Sequence, residues 1–169
     1  MRRGWKNLVV TIVVVAVAVA VWTAYWIGTR EPRRSITCIG NLRALSAATF
    51  HWTLTREGRT PASLELLLGQ PGITRKTFIC PASGSTLEDD RFVCDYDSIF
   101  DRAGRPVSFQ GLDDPSNTMM IWDREPVHGG GGAPYRHVLF ADGNLRRVRE
   151  AEFEAALKKL DSSASPGRK

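Results

Sequence analysis

The chain has 169 residues, 43% of them hydrophobic, with 23 basic and 18 acidic side chains and a formal net charge of +5. This length accommodates one modest domain plus appendages. The charge does not mark a nucleic-acid binder. Residues 1–29 hold three basic and no acidic groups, which leaves 23 − 3 = 20 basic against 18 acidic, or +2, interspersed along the rest rather than gathered into the stripe a polyanion requires.

Residues 1–7 are a short basic N-terminus, and 8–29 form the first element. From Leu8 to Ile27 the run LVVTIVVVAVAVAVWTAYWI carries no charge. At about 1.5 Å per residue it can cross a ~30 Å hydrocarbon core as a helix, the form in which an isolated span satisfies its own backbone in lipid. Trp22, Tyr25 and Trp26 sit at its far end, where aromatic rings favour the headgroup level. A cleaved signal is the competing reading, with Ala18-Val19-Ala20 as the small-residue site, although apolar sequence continues beyond it. Basic residues flank the span almost equally; the short N-terminal flank and the cysteines downstream favour an exoplasmic C-terminal part.

Residues 30–57 are expected to carry the helix onward into a head domain. Cys38, Leu42, Leu45, Ala48 and Trp52 recur at helical spacing, which reads Cys38 as a packing residue. Pro32 is expected to kink this helix. Gly58 stops it, and the head covers 58–160. Thr60, Pro61 and Gly69 frame a short second helix. Thr77–Cys80, Phe92–Cys94 and Met119–Trp122 are short apolar runs bounded by turn formers, and read as strands. Glu150–Leu160 returns to helical spacing, and 161–169 reads as a disordered tail. The expectation is an α+β protein: a long N-terminal transmembrane helix packed on a small antiparallel β-sheet head.

The stretch HGGGGAPYRHVLFADGNLRRV concentrates the candidate chemistry. Its glycines lack the Lys-Ser/Thr that completes a phosphate loop, so they read as a tight or flexible connection. Asp142-Gly143 suits a two-residue hairpin tip, which would put Val138 and Phe140 on one face and Leu139 on the other. A metal site is the rival: His128, His137, Asp123 and Asp142 could meet if strands 119–123 and 138–141 pair. Asp95, Asp97 and Asp101 superficially follow calcium-loop spacing without its glycine and terminal glutamate. Exposed loop carboxylates are the commoner explanation of such acids, so no cofactor is expected, with calcium or zinc as the alternative. Cys80 and Cys94 flank a turn-rich loop that could close as a disulfide in an oxidising compartment; two unpaired cysteines in neighbouring strands are the other reading. No Cys-x-x-Cys pair and no Gly-x-Ser-x-Gly elbow is present, and an enzyme is not expected.

The opening RRGWKNLVVTIVVVAV resembles a type IV pilin or pseudopilin N-terminus, with Gly4 matching the residue before the prepilin peptidase cut and Trp5 the new N-terminus. Further on, Cys38, Asn41, Leu42, Gly58, Pro61 and Cys80-Pro81-Ala82 resemble pilin-like proteins with a His-x9-Asp-Gly signature. That signature is matched by His128, Gly129, Gly130, Phe140, Asp142 and Gly143. The chain departs from the pattern in a longer His128-to-Asp142 spacing and in Val9, which stands where pilins carry a glutamate. The resemblance implies a bacterial inner-membrane protein with a single span and an exoplasmic head. Its implied role is structural or in assembly within a type II secretion or type IV pilus-like system. Its partners would be other pilin-like subunits or assembly proteins, met through the N-terminal helix, and the lipid bilayer, with no nucleic acid. A membrane-anchored ligand- or metal-binding head with no filament role is the alternative.

Overall fold

The computed structural model describes residues 2–87, 91–108, 112–129 and 132–163, with side chains from residue 10 onward except 27, 162 and 163. The chain divides into two units, Met1–Arg33 and Arg34–Lys169. Helix α1 spans Arg2–Thr55 and includes Pro32, where the helix continues. Gly4, Trp5 and Val9 lie within α1, in the part whose side chains fall outside the described residues.

In the first unit the apolar run is exposed to its surroundings: Val13, Val17 and Val21 are 54%, 57% and 64% accessible, and Trp22 and Tyr25 are as open. Among the described residues nothing covers it, unlike the core helix of a soluble domain. It is long and apolar enough to cross a membrane, or to act as a signal sequence. Its polar side chains turn inward on the backbone. Thr23 donates to the Ala20 carbonyl at 2.9 Å and Thr29 to that of Tyr25 at 3.0 Å, so neither hydroxyl depends on water. At the end of the run the Arg30 guanidinium stacks over Trp26, 3.5 Å from the ring centroid.

The second unit has an α+β layout. Strands β1 (Tyr96–Ser98), β2 (Met119–Asp123), β3 (Tyr135–Phe140) and β4 (Leu145–Arg149) pair in sequence order, all antiparallel. Short helix α2 (Ile99–Ala103) follows β1, and α3 (Glu150–Ser163) follows β4. The sheet is covered on both faces. On one, Ile121 and Leu139 join Cys38, Leu42 and Leu45 of α1. On the other, Trp122, Val138 and Phe140 pack against Phe153 of α3, with the Trp122 and Phe153 rings edge-to-face at 6.0 Å. Strand alternation explains this division, because neighbouring residues point to opposite faces; β3, filled on both, is buried along nearly all its length.

The α1 stripe is as its spacing predicts, with Cys38, Leu42, Leu45 and Ala48 buried. The helix ends at Glu57 and Gly58, both left-handed, with the Gly58 N–H on the Thr53 carbonyl at 2.9 Å. The short second helix is one 3-10 turn, Leu64–Leu67. The strands expected at Thr77–Cys80 and Phe92–Cys94 do not form. Arg75–Phe78 is a 3-10 turn. The Asp95 N–H takes the Phe78 carbonyl and the Asp95 carboxylate takes the Cys80 N–H, so a side chain supplies what a ladder would. The first strand begins later, at Tyr96.

The hairpin tip also differs from the two-residue expectation. The Gly143 N–H donates to Phe140 O at 2.9 Å, and the Phe140 N–H donates to Asn144 O at 2.9 Å. Three residues, Ala141 to Gly143, therefore form the loop, with only Gly143 left-handed (φ 83°). Helix α3 extends to Ser163, into the segment read as a tail; residues 164–169 lie outside the described residues.

Candidate functional site

At the centre of the head the side chains of Cys38, Asp123, His128 and His137, all buried, bring donor atoms within 4.8 Å of one another. Each arrives by a different route. Residue 123 closes β2 and faces β3, where residue 137 lies beside it. Strand parity puts His137 on the same face as Leu139, toward α1. The His137 N–H donates to Asp123 Oδ2 at 2.8 Å, and its ring Nδ1 lies 3.2 Å from the same oxygen. From α1, Ser35 and Cys38 project one turn apart. Ser35 Oγ is 3.0 Å from His137 Nε2, and the Cys38 thiol donates to Asp123 Oδ1 at 3.0 Å.

His128 reaches the cluster through the glycine run. Gly132 N–H bonds the Gly129 carbonyl at 2.8 Å and Tyr135 N–H bonds the His128 carbonyl at 3.0 Å, so the loop closes and returns the chain beside itself. Gly129 holds φ 142°, and a Cβ there would lie 3.1 Å from the Ala133 carbonyl oxygen. Only glycine allows that approach. The result sets His128 edge-to-face on His137, ring centroids 4.3 Å apart, with Tyr135 stacked on His128 and edge-on to His137 at 5.3 Å.

Cys80 completes the arrangement. Its backbone N–H is held by Asp95 at 2.8 Å, and its Sγ is 3.5 Å from His128 Nε2. Tyr96 Oη lies 3.6 Å from Cys38 Sγ and accepts from Asn41. The interaction with the neighbouring Cys38 thiol draws the Cys80 thiol down to about 5, against the opposing effect of burial. The same interaction and burial push Cys38 well above the ordinary thiol value. Desolvation drives Tyr96 up. Beneath the cluster, Arg136 bonds the carbonyls of Asp123 and Arg124 and the carboxylate of Glu150, which locks the end of β2 to the start of α3.

Thiols, imidazoles and a carboxylate shielded from water can bind a ligand or perform acid–base or thiol chemistry. Two surface pockets, one lined by His51, Gln70 and Ile73 and the other by Trp52, Arg59 and Leu66, include none of these residues.

Of the residues singled out from sequence, His128, His137 and Asp123 meet as the strand pairing suggested, but Asp142 does not join them. It is an exposed turn residue whose oxygens accept the Asn144 N–H at 2.9 Å and its amide at 2.7 Å; the backbone bond holds its carboxyl below the usual range. Gly143 belongs to that turn and Phe140 to the core under α3. Gly130 lies outside the described residues. The Cys80–Cys94 bridge is not formed: all three cysteines are free, Cys80 turned toward His128 and Cys94 donating to the Tyr96 carbonyl at 3.2 Å. Asp95 and Asp101 are structural acceptors. Asp95 takes Ser83 Oγ and Ser85 Oγ, and Asp101 takes Ser98 Oγ and the Leu64 N–H. Cys38 is the member that sequence reasoning missed as a site residue, and the sequence offers Cys80 only as a candidate disulfide partner of Cys94. Cys38 fits a packing stripe equally well, and it lies 42 residues from Cys80. No local spacing marks them; the structure alone shows that two of the three cysteines and two of the three histidines share one core. No family model, no curated protein and no solved structure matches the chain.

Proposed function

We propose that the chain is a pilin-like membrane protein of the bacterial inner membrane, with a structural or assembly role in a type II secretion or type IV pilus-like system. The observation that carries this reading is the division of labour along α1. Its N-terminal part presents exposed valines, while its part from Arg34 onward buries a stripe against a four-stranded antiparallel sheet. An anchor without its own role in the head would have no need of that second stripe. Exposed β-branched residues offer a surface for lateral packing between helices, driven in lipid by van der Waals contact, and the exoplasmic head offers a recognition surface. Intact-mass analysis of the full-length protein extracted from membranes tests the reading. The expected product begins at Trp5, N-methylated; a chain beginning at Met1 or Arg2 overturns it.

A second reading is favoured by two features together. Val9 stands where a pilin glutamate would neutralise a neighbouring subunit's terminus, and the head encloses a buried cluster of titratable side chains. Under it the protein is a membrane-anchored binding head with no filament role. Cross-linking in membranes separates the two: ladders of the chain with itself or other small apolar-helix subunits support assembly, and a monomer alone supports the anchored head.

A further inference from the structure

We propose that Cys38, Cys80, His128 and Asp123 form a tetrahedral site for a single zinc ion, with His137 behind the carboxylate as its positioning residue.

The argument begins with distances. Zinc binds sulfur at about 2.3 Å and nitrogen or oxygen at about 2.0–2.2 Å, which at tetrahedral angles puts neighbouring donors about 3.3–3.8 Å apart. Here Cys80 Sγ to His128 Nε2 is 3.5 Å, His128 Nε2 to Asp123 Oδ2 is 3.6 Å, and Cys38 Sγ to Asp123 Oδ1 is 3.0 Å. The Cys38, Asp123 and His128 donors lie within 4.8 Å of one another, and Cys80 joins them through His128. Small adjustments convert these contacts into coordination edges.

The donor chemistry selects the ion. Calcium and magnesium demand six or more oxygens, and this core offers one carboxylate. Two thiolates, an imidazole and a carboxylate suit zinc. Binding would send the Cys38 thiol proton to solvent, and the ion would offset most of the negative charge of the thiolates and carboxylate that is otherwise costly to bury.

His137 stands in the position of an outer-sphere partner. Both ring nitrogens are engaged, Nδ1 with Asp123 at 3.2 Å and Nε2 with Ser35 at 3.0 Å, and its backbone N–H fixes the same carboxylate oxygen at 2.8 Å. Such partners hold a ligand's orientation. The elements joined are α1, the segment after the second 3-10 turn, β2 and the glycine loop, so the ion would staple parts of the head that share no strand pairing.

The inference stands apart from the assembly reading, because a chain beginning at Trp5 or at Met1 can hold the ion equally well. The test uses full-length protein in detergent, reduced, chelator-treated and titrated with cobalt(II) chloride. Expected are one equivalent bound, a thiolate-to-cobalt charge-transfer band, intense tetrahedral visible bands, and displacement of all of these by zinc. Cys94→Ser should leave the spectrum unchanged. Cys38→Ser and Cys80→Ser should each weaken binding by at least about tenfold and diminish the charge-transfer band. His137→Gln should keep the band while affinity falls about 10–100-fold. Should a variant fail to fold, the wild-type titration decides. Absence of the charge-transfer band at stoichiometric cobalt overturns the proposal, as does copper(I) retained in the native protein in place of zinc. So does a Cys38–Cys80 disulfide found by mass spectrometry after thiol blocking during isolation.

Discussion

Ser35 Oγ and His137 Nε2 lie 3.0 Å apart although 102 residues separate them. The contact ties α1 to the middle of the sheet at a point where both side chains are buried, 3% and 0% exposed. Replacing Ser35 by alanine deletes one partner and leaves an imidazole nitrogen with neither protein nor water to bond. That desolvation loss is about 1–2 kcal/mol. Urea denaturation of the reduced full-length protein in detergent should show the midpoint fall for Ser35→Ala. An unchanged midpoint would mean that His137 is held by Asp123 alone.

Arg136 has a different kind of partner. Its guanidinium is nearly buried, bonds two backbone carbonyls and Glu150, and lies 4.4 Å over the Phe153 ring. Arg136→Ala removes all of these contacts and leaves the Asp123 carbonyl without its donor, for a loss of about 3 kcal/mol. Glu150 is a third exposed, so Glu150→Gln keeps the packing and weakens only a partly screened pair, at about 1 kcal/mol or less. The ordering of the two midpoints checks the account. Equal losses would show that the salt bridge, not the carbonyl bonds and the Phe153 stack, carries the energy.

Two glycines with positive φ make a matched comparison. At Gly143 an added Cβ meets nothing within 4 Å, so Gly143→Ala feels only left-handed backbone strain, about 1 kcal/mol. At Gly129 the same atom would press on the backbone of Ala133 and Pro134, 3.1 and 3.2 Å away, at a φ of 142°. Gly129→Ala should cost about 2–3 kcal/mol and displace His128. Chemical denaturation ranks the pair; a Gly143→Ala loss as large as that of Gly129→Ala would refute the steric argument.

What was legible in the sequence was periodic. The α1 stripe from Cys38 to Ala48, the β3–β4 hairpin and the Phe153 face of α3 follow from spacing alone, because each pattern has one way to bury its apolar residues. The two strands expected around Cys80 and Cys94 failed for the opposite reason. Apolar runs of three or four residues satisfy a loop as readily as a strand, and here the Asp95 carboxylate, not a neighbouring strand, takes the Cys80 N–H. The candidate site was half legible. Strand pairing brought Asp123 and His137 together, but Cys38 and Cys80 join them only through tertiary packing, which leaves no local spacing to read.

Cys94, half-buried against the edge of the core, gives a quantitative test of how dry that edge is. Burial pushes its thiol from the ordinary 9.0 up to about 12, against a smaller opposing effect of the Tyr96 backbone. The difference, 12 − 9 = 3, is about a thousandfold less thiolate near pH 8, and only the thiolate is alkylated. Since the folded value lies above the unfolded one, the associated stability is fully present below about pH 9 and is lost as pH rises toward 12. Iodoacetamide labelling of the native full-length protein at pH 8, followed by peptide mass spectrometry, should find Cys94 reacting about a thousandfold more slowly than in urea. A native rate within tenfold of the unfolded one would place its sulfur in contact with water and undo the burial argument.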